Sequence, residues 1–427
     1  MTSPLTTAVV SLPRAGHVAL DLAAARAEPG VLAVVAAQTI PPSGALPAGQ
    51  IVAALAAEDA AALRRGLAAL ALQVAPVLPV TEPAMPDLPM TLRATRGVCD
   101  PLAELCFAAR PGDAAESSLP HRLAADLAKA AGGPVTLPLT TAEALANLPQ
   151  RPAVAVGAQV ALGPEGQLTG LVLHVNRQAA PGAVATRPAL AFGLPLSVTV
   201  DLAETHLPPA WAMPADGHEP AATALVELAL QDHALARGMD PLALRLATLP
   251  TTAKAPLQAL QPGWTGPLAG RPADPLGRLR QGAGLAAGLA AAVHVEILVD
   301  TDTGHVLMPV CRIALATPPA NIAAAVARGH GLALTEEVAA DPDTGALLAQ
   351  GFGDLRLASS FTLPDLEILP CAGPAPLSDE ITALTAAAIL TALSDALGQR
   401  PCHLPMTPDR VLALVPPAGT DRTAEHT

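Results

Sequence analysis

The sequence predicts an α+β fold, and three observations carry that reading. Helical and strand-like segments are interspersed rather than strictly alternating. Two pairs of alternating runs read as antiparallel hairpins: VAVGAQVAL with QLTGLVLHV around Gly163–Gly166, and AAVHVEILVD with HVLMPVCRIALA around Thr301–Gly304. Finally, 51% of the 427 residues are hydrophobic and only 14% charged, which excludes a disordered chain and supplies a large core.

The elements follow in order. Residues 18–38 read as a helix, a Pro29-Gly30 turn and the strand VLAVVAAQ. Gln50–Ala57 is strand-like. Glu58–Ala71 is strongly helical, with Asp59 near its start. Val74–Val80 is extended, because Pro76 and Pro79 exclude helix. The Pro-rich stretch TEPAMPDLPM (81–90) marks a boundary. Residues 116–132 form an amphipathic helix ending at Gly132-Gly133, followed by the strand PVTLPL. After the first hairpin, 219–238 form a long helix stopped by Gly238, with Pro241 just beyond and a second helix, PLALRLATL, after it. Residues 250–282 are loop-rich. After the second hairpin, 319–338 are helical, DPDTG (341–345) is a turn, and 379–398 form a helix ending at Gly398, with a polar tail after Pro416. No internal repeat is visible.

Composition narrows the function. Aromatics are 1% (four Phe, two Trp, no Tyr), so the core is aliphatic and platforms for stacking bases or sugars are nearly excluded. A net charge of −13 argues against a nucleic-acid partner. Mean hydropathy is +0.42. The apolar runs Gly66–Val80 and Ala283–Val293 are interrupted or short, so no membrane span is expected. The N-terminal MTSPLTTAVVSLPRAG lacks the basic-then-apolar pattern of a secretory signal, so a cytoplasmic chain is expected. The five cysteines (Cys99, Cys106, Cys311, Cys371, Cys402) are scattered without a CxxC pair. They read as free thiols, not as a zinc, iron–sulfur or disulfide framework.

Local motifs supply little chemistry. Gly282–Gly288 (GAGLAAG) faintly resembles a dinucleotide-binding loop, but that loop must follow a strand and open a helix, whereas here it follows a polar loop and runs into a strand. GxxxxGK[ST], HExxH and GxSxG are absent. The 11 histidines are isolated, His121 and His233 on helices and His174 and His294 in strands, and read as satisfied surface or core residues. Asp379-Glu380 opens the last main helix, where carboxylates favour the dipole and cap amides.

Several stretches, taken together and in order, resemble the large, molybdenum-cofactor-binding subunit of the xanthine dehydrogenase/aldehyde oxidase family. ALDLAAARAEPGVLAVVAAQTIP and GQIVAALAAEDAAALRRGLAAL resemble its a/b hammerhead domain. VALGPEGQLTGLVLHV resembles its hairpin, and EPAATALVELALQDHALARGMDPLALRLATL its helix followed by G-M-D-P. HGLALTEEVAADPDTGALL, GFGDLRLASSFTLPDLEI and LPMTPDRVLALV resemble its C-terminal run. The resemblance implies a hammerhead-like domain at 1–85 and two reduced molybdopterin-binding-like α+β domains at 86–250 and 251–427.

The departures fall on the family's functional motifs. Family members are much longer, and the middle block with G-G-x-E-M-G-Q-G is absent here. The loop GGGFGGKES corresponds to AARPGDAAESS (108–118), which keeps Glu116 and Ser117 but not the Phe-Gly-Gly core. A-Y-R-G-x-G-x-P-Q corresponds to MPADGHEPA (213–221), with Pro220 retained but Ala215 for Arg and Ala221 for Gln. G-Q-I-E-G becomes ANIAA (320–324), with Asn321 for Gln and Ala323 for Glu. The motif carrying the catalytic base becomes PLSDEIT (376–382), which puts Asp379, or with a one-residue deletion Glu380, at the base position.

An anionic pterin–molybdenum centre needs a dense set of amide and side-chain donors, and these changes remove them. The expectation is a non-catalytic accessory or structural homologue with no cofactor of its own. It would pair with a flavin/iron–sulfur subunit or a full-length hydroxylase chain, or with itself. The alternative is an active hydroxylase of a purine, heterocycle or aldehyde that holds molybdopterin and uses Glu380 or Asp379 as base.

Overall fold

A computed structural model describes residues 5–37, 45, 46, 48–77, 83–95, 97, 98, 105–113, 118–147, 150, 151, 153–163, 168–179, 197–206, 219–249, 254–349, 351, 353–359 and 362–416. The first elements are β1 (Thr6–Ser11), β2 (Gly16–Asp21), α1 (Ala23–Ala27), β3 (Val31–Ala36), β4 (Ile51–Ala57), α2 (Ala60–Ala69) and β5 (Ala71–Pro76). β4 is built from small and branched apolar residues, all buried, and lies between β1 and β3 with antiparallel pairing to both. The helix expected from residue 18 is corrected here. GHVALD alternates, pairs with β5 as strand β2, and leaves only five helical residues before the Pro29-Gly30 turn. The start of α2 agrees with its sequence: Asp59 accepts hydrogen bonds from the amides of Ala61 (2.9 Å) and Ala62 (2.7 Å).

Next come β6 (Met90–Ala94), β7 (Gly97–Val98), β8 (Cys106–Ala109), α3 (Leu119–Ala131), β9 (Val135–Pro138), α4 (Thr141–Asn147), β10 (Gln150–Arg151), β11 (Val154–Leu162), β12 (Leu168–Ala179) and β13 (Ser197–His206). The expected hairpin is present as β11–β12. Asn147, at the end of α4, ties this part to the first. Its Oδ1 accepts from Gln50 Nε2 (2.9 Å) and the Ile51 amide (2.8 Å), and its Nδ2 donates to the carbonyls of Gly49 and Glu143.

The remaining elements are α5 (Pro220–Ala236), α6 (Pro241–Thr248), α7 (Ala255–Leu260), β14 (Leu279–Ala287), β15 (Ala291–Asp300), β16 (Val306–Leu315), α8 (Ile322–Leu334), β17 (Leu366–Pro370), α9 (Ser378–Leu397), β18 (His403–Leu404) and α10 (Pro408–Leu414). Among its described residues, the loop-rich stretch 250–282 thus contains α7, a single 3-10 turn at Gln261–Gly263 and the start of β14. Two sheets dominate: β13-β12-β11-β6-β18 and β14-β15-β16-β17. Each holds antiparallel neighbours and then a parallel strand, β13 beside β12 and β17 beside β16. Each is followed by a long buried helix, α5 or α9. This is a structural repeat that the sequence did not display. One apolar cluster runs from Met90 to Val411 and joins both sheets with α5, α8 and α9.

One apolar segment also needs correcting. Ser378–Leu397 is long and apolar enough to cross a membrane by length and composition, and here its apolar stretch is buried as the central helix of the core.

Candidate functional site

Two of the four stretches singled out from the sequence meet at the start of α9. This helix begins after Pro374 and Pro376, and Asp379 and Glu380 lie in its first turn, where negative charge suits the helix dipole. Asp379 is exposed, whereas Glu380 is buried at 6% exposure. The Glu380 Oε1 accepts the amide N–H of Ala290 at 3.2 Å, in the turn between β14 and β15. Ser378 Oγ donates to Asn321 Oδ1 at 2.7 Å, at the start of α8. Thr382 Oγ1 donates to the Ala325 carbonyl at 3.0 Å, and Gly329 leaves room for Thr385. The two stretches 320–324 and 376–382 therefore lie side by side.

The other two motifs are only partly visible. Glu116, Ser117 and Ala215 lie outside the described residues. Pro220 opens α5, and Ala221 is buried with its amide held by Glu219 Oε1 at 3.1 Å. At Arg110–Asp113 the chain closes a turn on itself. The Arg110 amide donates to Asp113 Oδ2 (2.7 Å), and the Asp113 amide donates to the Arg110 carbonyl (3.1 Å).

The sequence reading missed a row of buried polar groups around β14. This strand ends its sheet: its start bonds on the outer side to residues 270–273, and the outer amides beyond need other partners. They find side chains. Ala283 N–H donates to Asp395 Oδ2 (2.9 Å), Leu285 N–H to Thr391 Oγ1 (3.2 Å) and Ala287 N–H to Glu227 Oε1 (3.2 Å). Asp395 also accepts from the amides of Leu268 and Ala269. Glu227 is fully buried and ion-paired to the buried Arg245. The available signal was an acidic residue set inside an apolar run of helix, Glu227 in ALVELAL and Asp395 in TALSDAL.

The same geometry explains GAGLAAG. A Cβ on Gly282 would sit 2.2 Å from the Ala392 carbonyl oxygen, and one on Gly284 would sit 1.9 Å from that of Ala388. The glycines let the backbone of α9 lie on the strand; they do not open a helix toward a phosphate.

His294 corrects another expectation. It is fully buried, its Nδ1 lies 3.3 Å from Arg312 Nη1, and its Nε2 has no hydrogen-bond partner. Burial first, and then the Arg312 charge, push its pKa down to about 4. His330, also buried, is pushed to about 4 by burial. Burial raises the Cys311 thiol to about 12, which fits an inert core cysteine. Among the described residues, no cluster of three or more His, Cys, Asp or Glu is arranged to hold a metal ion.

No protein-family model matches the chain, and no curated protein does. Solved structures do. Quinoline 2-oxidoreductase from Pseudomonas putida 86 matches with a TM-score of 0.74 and 11% identity, over 97% of this chain and 95% of that one. An aldehyde oxidoreductase from Desulfovibrio desulfuricans ATCC 27774 matches at 0.70 and 12%, over 97% and 78%. A Cu,Mo-CO dehydrogenase matches at 0.68 and 12%, over 97% and 95%. At these identities the likeness is one of fold, and the chain has the fold of the molybdenum-hydroxylase chains its sequence resembles.

Proposed function

We propose that this chain is a non-catalytic accessory or structural homologue of the molybdenum-hydroxylase large subunit. It would act in the cytoplasm beside a flavin/iron–sulfur subunit, a full-length hydroxylase chain or a second copy of itself. The observation that carries this reading is the use made of Glu380: its buried carboxylate holds the Ala290 amide, a structural contact within the core. The exposed Asp379 is the other candidate for the base position.

The described residues do not fit a molybdenum–pterin group. Asn321 and Ser378 bond to each other, the Arg110–Asp113 turn spends two of its amides on itself, and the two ionisable side chains in the first turn of α9 are both acidic. An anionic ligand needs donors and positive charge there.

Elemental analysis of the purified full chain, with fluorescence of oxidised pterin, tests the reading. Substoichiometric molybdenum is expected. One molybdenum per chain with bound pterin overturns the proposal in favour of an active oxidoreductase. Native pull-down from the source lysate then tests the accessory role, for which co-purification of a flavin- or iron–sulfur-bearing chain is expected.

A further inference from the structure

The cysteines among the described residues sit in different surroundings. Cys311 is buried in the core, and burial also raises the Cys371 thiol. Cys106 is exposed on β8. Cys402 is half-buried, and its Sγ lies 3.2 Å from Nδ1 of His403. A nucleophilic sulfur and a ring nitrogen that can take its proton are thus in contact.

Neighbouring elements fix that contact and charge it. Leu404 and Ala94 pair across β18 and β6 and both turn into the core, so by alternation His403 and its register partner Arg93 share the other face. The strand is tied down along its length. The Arg93 amide donates to the Cys402 carbonyl (2.9 Å), the Thr95 amide to that of Leu404 (2.9 Å), and the Met406 amide to that of Ala333 (2.7 Å). Arg410 of α10 donates to the Pro405 carbonyl (2.7 Å) and to Glu337 Oε1 (2.8 Å). Burial, and then the charges of Arg410 and Arg93, hold the His403 pKa below its usual value, with Glu337 acting the other way. The ring is therefore neutral at neutral pH and able to accept a proton. Two guanidiniums against one carboxylate leave the surroundings of the pair positive, which draws in a reactant carrying negative charge.

We propose that Cys402 and His403 form a reactive thiol–imidazole pair at which the chain takes up a carboxylate-bearing small-molecule thiol as a mixed disulfide. The Cys402 sulfur attacks one sulfur of a low-molecular-weight disulfide while His403 Nδ1 takes its proton. A new S–S bond forms to Cys402, the old one breaks, and the departing sulfur recovers the proton and leaves as a thiol. Cys402 is oxidised and the departing sulfur reduced, so the disulfide itself is the oxidant. The inference is independent of whether the chain is an active oxidoreductase.

Labelling kinetics of the full chain test it, with peptide mapping to identify the sulfurs modified. The probes are dithiobis(nitrobenzoate), a dianionic disulfide, and neutral hydroxyethyl disulfide. The anionic probe is expected to label Cys402 about tenfold faster than Cys106, and added salt should slow its reaction with Cys402 but not that of the neutral probe. Cys402→Ser should abolish the fast phase. His403→Gln should slow labelling of Cys402 about tenfold and leave the rate at Cys106 unchanged, which also reports that the variant is folded. A Cys402 no faster than Cys106, a rate that His403→Gln does not move, or a salt response equal for the two probes overturns the proposal.

Discussion

The helices α5 and α9 occupy equivalent places. Each follows a strand that runs parallel to the last strand of its antiparallel set, and each is buried almost all round. They differ in how buried polarity is satisfied. On α5, Glu227 accepts the Ala287 amide with one carboxylate oxygen and meets a buried arginine, Arg245 of α6, with the other. On α9, Glu380, Thr391 and Asp395 are side-chain pegs into backbone amides, at 3.2, 3.2 and 2.7–3.1 Å. The glycines differ accordingly. In β11, a Cβ on Gly157 would meet Pro86 and Leu88, so that glycine admits a loop. In β14, Gly282 and Gly284 admit the backbone of α9 itself. Similar topology thus tolerates different neighbours on the strand, and where the backbone of α9 lies on β14, side chains of α5 and α9 satisfy the strand's outer amides.

The largest test of this contrast is the ion pair. Glu227→Gln should destabilise the fold by about 3–5 kcal/mol in denaturant unfolding, because it strands a buried guanidinium. Glu227→Leu with Arg245→Met should recover most of that loss; an equal loss in the double variant would mean the pair acts by shape and not by charge.

The next effect is on pH. His294 and His330 have folded pKa values near 4 against 6.5 in the unfolded chain, so below about pH 6.5 the unfolded state binds more protons. Stability should therefore be full above pH 6.5 and fall as pH drops towards 4. At about 1.4 kcal/mol per pKa unit, each histidine contributes on the order of 3 kcal/mol to that fall. Melting curves of His294→Gln and His330→Gln should each show a shallower fall than the wild type.

Smaller again is the glycine contrast. Gly284→Ala drives a Cβ into helix backbone and should cost about 1–3 kcal/mol or more, whereas Gly351→Ala, with nothing within 4 Å, should be near neutral. Equal melting temperatures for the two variants would refute close packing as the reason for GAGLAAG. The smallest effect is expected at Glu380→Gln, which keeps the shape and weakens the bond to the Ala290 amide, for about 1 kcal/mol of stability. A loss of several kcal/mol would place Glu380 beside Asp395 as a principal anchor of α9.

Much of the fold was legible. Both hairpins, the helix stops at Gly132 and Gly398, and the Asp59 cap depend on neighbours a few residues away, and local chemistry specifies them. The first helix was misplaced because GHVALD gains its strand partner only from β5, some fifty residues on. The site was legible as a pair of positions, Asp379 and Glu380, but not as a geometry. Their difference in burial, and the union of 320–324 with 376–382, arise from α8 packing on α9.

The ordered motifs and the binary pattern of the chain were enough to define its two main hairpins, most of its longer helices and its likeness to molybdenum-hydroxylase chains, because periodicity and turn residues act over short range. Packing alone decided that a glycine-rich stretch is a strand under a helix, that Glu227, Thr391 and Asp395 guard its edge, and that Glu380 faces inward. Those outcomes turn on which distant amide is left without a partner, and a backbone donor acquires or lacks one only when the sheets and helices close around it.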